Sequence, residues 1–369
     1  MSSSSGDEYF MAQCLELASR GSGHVSPNPL VGAVIVKRGE IIGRGYHEKF
    51  GGDHAEIRAI GNAKGKVAGA TLYVNLEPCS HFGKTPPCTV AIIARRIRRV
   101  VVGTIDPNPL VRGKGIRSLR SVGIEVRVGV LKNECKKLNE FFLKHASTGL
   151  PFIALKIAQT LDGKIAHADG ASKWITSRES RQYVHGLRVQ YDAVLIGATT
   201  ARIDNPRLTV RLVKGRNPMR ILLDGNLSAP PSSHLFTDSH RSKTIVFCCE
   251  AGTEDFARKK IILERRGIKI VEMAADRHGR LDLMSVLRSL ASQGIISVLV
   301  EGGQDVFTEF LEQGLADKAY FFIAPKVFGC TALPAFGELR ESLTALQPSF
   351  VEVRNLGNDF LVEGYLQKS

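Results

Sequence analysis

No apolar run in the 369 residues approaches the roughly 18 that a membrane helix needs, so a span is not expected. The first ten residues, Met1 to Phe10, are Ser-rich and acidic where an export signal is basic and then apolar. A cytoplasmic protein is therefore expected. Cysteine is sparse and odd in number: Cys14, Cys79, Cys88, Cys135, Cys248, Cys249 and Cys330 are unlike a disulfide framework and fit a reducing compartment. There is no collagen-like period, no evident internal repeat and no low-complexity bias beyond a short Ser run near the start. The strict G-x-G-x-x-G fingerprint of a Rossmann dinucleotide site is also missing, because the G-x-G starts at Gly21, Gly43 and Gly113 lack the third glycine. Gly83-Lys84-Thr85 looks like the tail of a P-loop, but Pro78 stands where its first glycine belongs, which excludes a nucleotide triphosphatase.

Acidic residues are in deficit as well. Lys and Arg number 50 against 36 Asp and Glu, a net charge of +14. Through Leu150, 22 basic residues face 12 acidic ones (+10), and beyond it 28 face 24 (+4). Such a field suits nucleic acid or a small phosphorylated substrate, or simple solubility, and charge does not choose among them.

With 43% hydrophobic and 23% charged residues the composition is that of a packed protein, and the length suggests two domains at about 150 residues each. Val31–Lys37 and Glu40–Tyr46, flanking Arg38-Gly39, predict a β-hairpin. Further strands are expected at Ala70–Leu76, Arg99–Ile105 and Glu125–Val130, between helical patterns at Ala55–Asn62, Thr89–Ile97 and Gly115–Val122. This alternation predicts a three-layer αβα domain. One helix is expected from Leu131 to His145, and the Gly149-Leu150-Pro151 stop marks a boundary, giving domains 1–147 and 151–369. The second part repeats the alternation, with strands from Phe152–Ile157 to Ala319–Ile323, helices such as Ser177–Gln190 and Gln304–Gln313, and closing β structure over Phe350–Leu366. A second α/β core follows.

Chemistry concentrates at His54-Ala55-Glu56, Pro78-Cys79 and Cys88. One imidazole and two thiolates suit Zn²⁺, and three protein ligands leave the fourth tetrahedral position for a water acidified toward neutral pH. Helix N-termini at His54 and Cys88 favour the thiolates. Glu56, in the first turn, is then the proton shuttle and not a ligand. The H-x-E with P-C-x-x-C signature belongs to zinc nucleobase deaminases, although here eight residues separate the cysteines. Alone, an H-A-E triplet is more often a solvated helix start. A structural zinc closed by His81 or Cys135 is the competing arrangement, and in it Glu56 has no task.

The stretch Glu77-Pro78-Cys79-Ser80-His81-Phe82-Gly83-Lys84-Thr85-Pro86-Pro87-Cys88 resembles the bifunctional deaminase/reductase family of riboflavin biosynthesis. Ser26-Pro27-Asn28-Pro29-Leu30-Val31-Gly32, Gly45-Tyr46-His47 and Asp106-Pro107-Asn108-Pro109 look like the same family in the same order. The resemblance implies a cytidine-deaminase-like domain in which Asn28, His47, His81, Lys84, Asp106 and Asn108 surround the substrate. Without it, Asn28 is a turn residue and Lys84 a loop charge.

The resemblance covers roughly Tyr9 to Leu366 and implies a dihydrofolate-reductase-like second domain. Its carriers are Leu155-Lys156-Ile157-Ala158, Thr160-Leu161-Asp162-Gly163-Lys164, Ser172-Lys173-Trp174-Ile175-Thr176-Ser177, Asp204-Asn205-Pro206-Arg207-Leu208-Thr209-Val210-Arg211 and Val300-Glu301-Gly302-Gly303. NADPH would touch Ala158, Trp174, Thr200, Asp204 and Gly303, while Ser172, Arg188, Leu208, Arg211 and Glu301 would hold the substrate. Independently of family, glycines at a strand end followed by a helix N-terminus near Gln304 offer donors to a phosphate. Arg188 and Arg211 offer forked donors to a ribose 5′-phosphate. Trp174, the only tryptophan, stacks on a cofactor or fills the core. The implied function is deamination of a diaminopyrimidine ribosylamino 5′-phosphate with one zinc, then NADPH-dependent reduction of its ribosyl group to ribityl. Small molecules are the implied partners, without nucleic acid or membrane, and a homo-oligomer is compatible. Two rivals remain at this level: a nucleic-acid-editing deaminase, favoured by the basic first half, and a zinc-stabilised binding protein without turnover.

Overall fold

The computed structural model describes residues 3–80, 86–109, 111–168, 170, 174–250, 253–276, 279–339 and 347–366. Two compact units divide the chain, Met1–Leu150 and Pro151–Ser369.

The first unit opens with α1 (Ser3–Ser19), followed by β1 (Gly32–Lys37), β2 (Glu40–Tyr46), α2 (Ala55–Gly61) and β3 (Thr71–Leu76). Then come α3 (Cys88–Ala94), β4 (Arg99–Thr104), α4 (Lys114–Ser121), β5 (Glu125–Val128), α5 (Lys132–Leu138) and α6 (Glu140–Thr148). The sheet order is β2-β1-β3-β4-β5, with β1 antiparallel to β2 and β3, and β3, β4 and β5 mutually parallel. Alternate residues of the central strands enter two cores. Ala33, Ile35, Leu72, Val74, Val100 and Val102 meet Ala55, Ala59, Ile92 and Leu119 from α2, α3 and α4. Val34, Val36, Tyr73 and Val101 meet Met11, Cys14 and Cys135 from α1 and α5. Burial on both faces is why these strands read as unbroken apolar runs.

Two elements depart from the expectation. α1 was not signalled by its Ser-rich start; its periodic Met11, Cys14 and Leu17 are buried, and Asp7 anchors it by accepting from Tyr73 Oη (2.8 Å), Arg99 Nη2 (2.8 Å) and Arg127 Nη1 (2.7 Å). The single helix expected over Leu131–His145 is two, broken at Asn139, whose Oδ1 accepts from Leu30 N (2.8 Å) and whose Nδ2 donates to Leu30 O (2.9 Å).

The second unit runs β6 (Phe152–Thr160), β7 (Lys164–Ala166), α7 (Arg178–Gln190), β8 (Ala193–Gly197), α8 (Ala198–Asp204) and β9 (Met219–Leu223). It continues with α9 (His234–Thr237), β10 (Thr244–Cys249), α10 (Glu254–Arg265), β11 (Lys269–Met273), α11 (Leu283–Ser292) and β12 (Ser297–Gly302). The last elements are α12 (Gln304–Glu312), β13 (Lys318–Ala324), β14 (Leu333–Pro334), β15 (Pro348–Leu356) and β16 (Asp359–Leu366). Nine strands form one sheet, β11-β10-β9-β8-β12-β6-β13-β16-β15, parallel as far as β13 and antiparallel over the last two. β7 and β14 pair separately. Among the described residues no helix is long and apolar enough to cross a membrane.

Candidate active sites

In the first unit β2 sets the position of α2. A Cβ on Gly45 would lie 2.4 Å from both Ala55 O and Ala59 N, and one on Gly43 would lie 2.3 Å from Ala59 O, so the helix rests directly on the strand backbone. His54 caps that helix in an extended conformation, and Glu56 sits in its first turn. Because the imidazole residue lies outside the helical repeat, side chains two apart in sequence face one cavity. Cys79 follows β3 and Cys88 opens α3, whose first backbone N–H donates to Cys79 Sγ at 3.3 Å.

The three candidate ligands converge. His54 Nδ1 lies 3.2 Å from Cys88 Sγ and 3.5 Å from Cys79 Sγ, and the three ligand atoms lie within 4.8 Å of one another. Zinc bonds of 2.0–2.3 Å in a tetrahedron place ligand atoms about 3.5 to 3.8 Å apart, so this set of one nitrogen and two sulfurs fits the ion. The Cys79 thiol is drawn below its usual range, first by the hydrogen bond with Cys88 and then by His54. The same pairing and burial push Cys88 up, the sharing of one proton that a metal ion replaces with two thiolates. Glu56 is 3% exposed, and burial, then the charge of Cys79, raise its pKa. Cys135 is packed in the core of the opposite sheet face and does not join the cluster.

A cavity of about 310 Å³ opens beside this cluster, bordered by His54, Glu56, Cys79, Asn28, His47, Asp106 and Asn108. His47 is buried there with Nδ1 3.0 Å from Asp53 O and Nε2 3.1 Å from Asn28 Nδ2. A carbonyl only accepts, so Nδ1 carries the proton and Asn28 donates to Nε2. Burial depresses the His47 pKa in keeping with that neutral ring. Asp106 Oδ1 accepts from Asn108 N at 2.8 Å, which locks the turn after β4.

In the second unit a cavity of about 810 Å³ lies at the C-terminal ends of β6, β8, β9 and β12, the usual ligand side of a parallel sheet. Ala158, Trp174, Thr200, Asp204, Arg188, Arg211, Glu301 and Gly303 all line it. Gly302-Gly303 leads into α12, and a Cβ on Gly303 would lie 3.0 Å from Thr200 Oγ1, so a larger residue would crowd the turn. With helix N–H groups beyond those glycines and room beside them, the cavity fits a dinucleotide. Trp174 is 66% exposed at the rim, with the Arg181 guanidinium 4.2 Å from its ring centroid, and is not core filling. Glu301 is clamped by Arg188, Nε to Oε1 at 2.6 Å and Nη2 to Oε2 at 2.8 Å, and by Lys156 at 3.3 Å. Burial would raise the Glu301 pKa, but the charges of Arg188 and Lys156 prevail and hold it at about 2.

Comparison with known proteins places these two sites in one family. The family model "RibD C-terminal domain" matches residues 151–362, and "Cytidine and deoxycytidylate deaminase zinc-binding region" matches residues 4–104. The riboflavin biosynthesis protein RibD of Aquifex aeolicus is 44% identical over 357 residues, covering 96% of this chain and 97% of that one. The chain belongs to the RibD family. Solved RibD structures agree: Acinetobacter baumannii RibD superposes with a TM-score of 0.87 at 35% identity, covering 99% of this chain and 100% of that one. A Thermotoga maritima diaminohydroxyphosphoribosylaminopyrimidine deaminase/5-amino-6-(5-phosphoribosylamino)uracil reductase does so with a TM-score of 0.84 at 43% identity, each chain covered to 99%. The chain is thus a bifunctional enzyme of riboflavin biosynthesis, a zinc-binding cytidine-deaminase-like domain followed by a dihydrofolate-reductase-like, NADPH-dependent reductase domain.

Within this RibD chain some sequence expectations need qualification. His81, Lys84 and Ser172 lie outside the described residues. Leu208 is 3% exposed and does not line the cavity. The Arg188 fork was expected on a phosphate; it is spent on Glu301, and its Nη1 donates to Thr209 O at 3.0 Å. Asn205 turns to the backbone, its Oδ1 accepting from His234 N at 2.8 Å. Several supporting residues were missed. Glu77 accepts from Gly113 N (2.9 Å) and Gly115 N (3.0 Å), and Asn75 Oδ1 accepts from Gly32 N (2.8 Å). A fully buried Asn inside the apolar strand β3 was the one available signal. Phe50 and Phe142 line the first cavity and His185 the second, without a motif to announce them.

Proposed function

We propose that residues 1–147 carry hydrolytic deamination of a diaminopyrimidine ribosylamino 5′-phosphate and residues 151–369 the reduction of the product's ribosyl group to ribityl. The observation that carries the first half is the convergence of His54, Cys79 and Cys88 beside a buried Glu56 in the cavity wall. Zinc, when held by those three residues, supplies a water acidic enough to lose its proton near neutral pH. As the water oxygen bonds to the amino-bearing ring carbon, Glu56 would carry one of its protons to the ring nitrogen and then the other to the amine, whose C–N bond breaks to release ammonia. Asn28, His47, Asp106 and Asn108 position the substrate, joined by His81 and Lys84 of the same motif. NADPH supplies the hydride for the second step. Ala158, Trp174, Thr200, Asp204 and Gly303 hold the cofactor, and Ser172, Arg211 and Glu301 the substrate, with Arg211 on its phosphate and Arg188 acting through Glu301.

A small phosphorylated pyrimidine is the partner this reading needs, with no nucleic acid or membrane and a cytoplasmic location. The edge strand β15 exposes Phe350 (83%) and Val353 (62%), which supports association between copies of the chain. The test is to give full-length, zinc-loaded protein the diaminated substrate and follow ammonia release and NADPH oxidation separately. Glu56→Gln is expected to keep its zinc, slow ammonia release by about 100-fold or more, and still oxidise NADPH when given the deaminated intermediate. Ammonia at the wild-type rate from that variant would overturn the assignment.

A further inference from the structure

The segment Arg207–Arg211 is held along its length. Arg220 Nη1 donates to Arg207 O (3.1 Å), Arg188 Nη1 to Thr209 O (3.0 Å), and Val210 N to Asn217 Oδ1 (2.7 Å). Arg211 Nη1 reaches back to Thr209 Oγ1 at 2.7 Å. The remaining tie comes from His185, whose Nδ1 lies 2.8 Å from Arg211 N. His185 stands on α7 three residues before Arg188, and both line the cavity that holds Arg211, Lys156 and Glu301.

The direction of that hydrogen bond fixes the ring's chemistry. A backbone N–H only donates, so Nδ1 is the bare nitrogen and the proton resides on Nε2. Burial, then the charges of Arg188 and Arg211, lower the His185 pKa to about 4, and the opposing charge of Glu301 is already shared with Arg188 and Lys156. The imidazole is therefore neutral at working pH, a donor in a cavity where the Arg188 fork is spent.

We propose that His185 belongs to the phosphate subsite of the reductase: Nδ1 fixes the backbone at Arg211, and Nε2–H donates to the substrate's 5′-phosphate beside the Arg211 guanidinium. This rests on the assignment of Arg211 to that phosphate.

Full-length His185→Phe is expected to raise the reductase KM for the deaminated 5′-phosphate about tenfold, the loss of one hydrogen bond to a charged group, while kcat and the KM for NADPH hold. His185→Gln, whose amide can accept from Arg211 N and donate to phosphate, restores the KM. With the dephosphorylated substrate all three proteins share one KM. An unchanged KM in His185→Phe, or an equal loss on both substrates, overturns the inference. Arg211→Gln is measured alongside: a raised KM there but not in His185→Phe removes His185 alone, and an unchanged KM in Arg211→Gln removes the phosphate subsite itself. A readout without substitution uses histidine ¹⁵N NMR of the wild-type protein. Ribose 5-phosphate is expected to move the His185 Nε2 resonance while ribose leaves it in place, and a resonance that moves with neither contradicts the proposal.

Discussion

Glu56 and Glu301 are both largely buried carboxylates in a cavity wall, and their neighbours drive them in opposite directions. Burial and Cys79 favour the protonated form of Glu56, which suits a group that must pick up a proton and release it. Glu301 is kept ionised by Arg188 and Lys156. Its folded pKa of about 2 lies below the ordinary 4.5, so its contribution to stability is present above pH 4.5 and is lost as pH falls toward 2. That contribution is on the order of 3 kcal/mol. In denaturant melts taken from pH 6 down to pH 3, wild-type protein is expected to lose more stability than Glu301→Gln, which lacks the titrating group. Parallel losses would show that the clamp does not hold the charge. The convergence of His54, Cys79 and Cys88 beside Glu56 was legible in the sequence because few residue types suit a metal ion. The Arg188 partner was not, since Glu301 stands 113 residues away and a guanidinium suits a carboxylate as well as a phosphate.

Elements matter here through what they bring close. α2 delivers His54 and Glu56 only because Gly43 and Gly45 leave the face of β2 bare. Gly45→Ala would set a methyl group 2.4 Å from the backbone of α2, and overpacking of this kind costs about 1 to 3 kcal/mol. The variant is expected to melt earlier and to release ammonia at least about tenfold more slowly, since one ångström of misplacement costs more than that in rate, while NADPH oxidation persists. Wild-type melting and ammonia release would show that the helix has room. Strand and helix order could be read from periodicity, and the hairpin from Arg38-Gly39. The break at Asn139 could not, because a partner 109 residues distant, Leu30, decides it. Its reward is functional: Asn75 and Asn139 together pin Leu30, two residues after Asn28 at the cavity.

At the scale of the whole molecule, each unit is an open α/β sheet with its cavity toward the C-terminal ends of parallel strands, and the two carry unrelated chemistry. The basic first half suits a phosphorylated substrate, and the reductase domain that follows turns the choice from a nucleic-acid editor to a metabolic enzyme. The proposed deamination depends on one ion held by His54, Cys79 and Cys88 with room for water. X-ray absorption at the zinc edge of the full-length protein measures that directly. The expected signal is one zinc per chain bound by two sulfurs at about 2.3 Å and two lighter atoms at about 2.0 to 2.1 Å. A third sulfur, or a zinc bound without sulfur, would contradict the account.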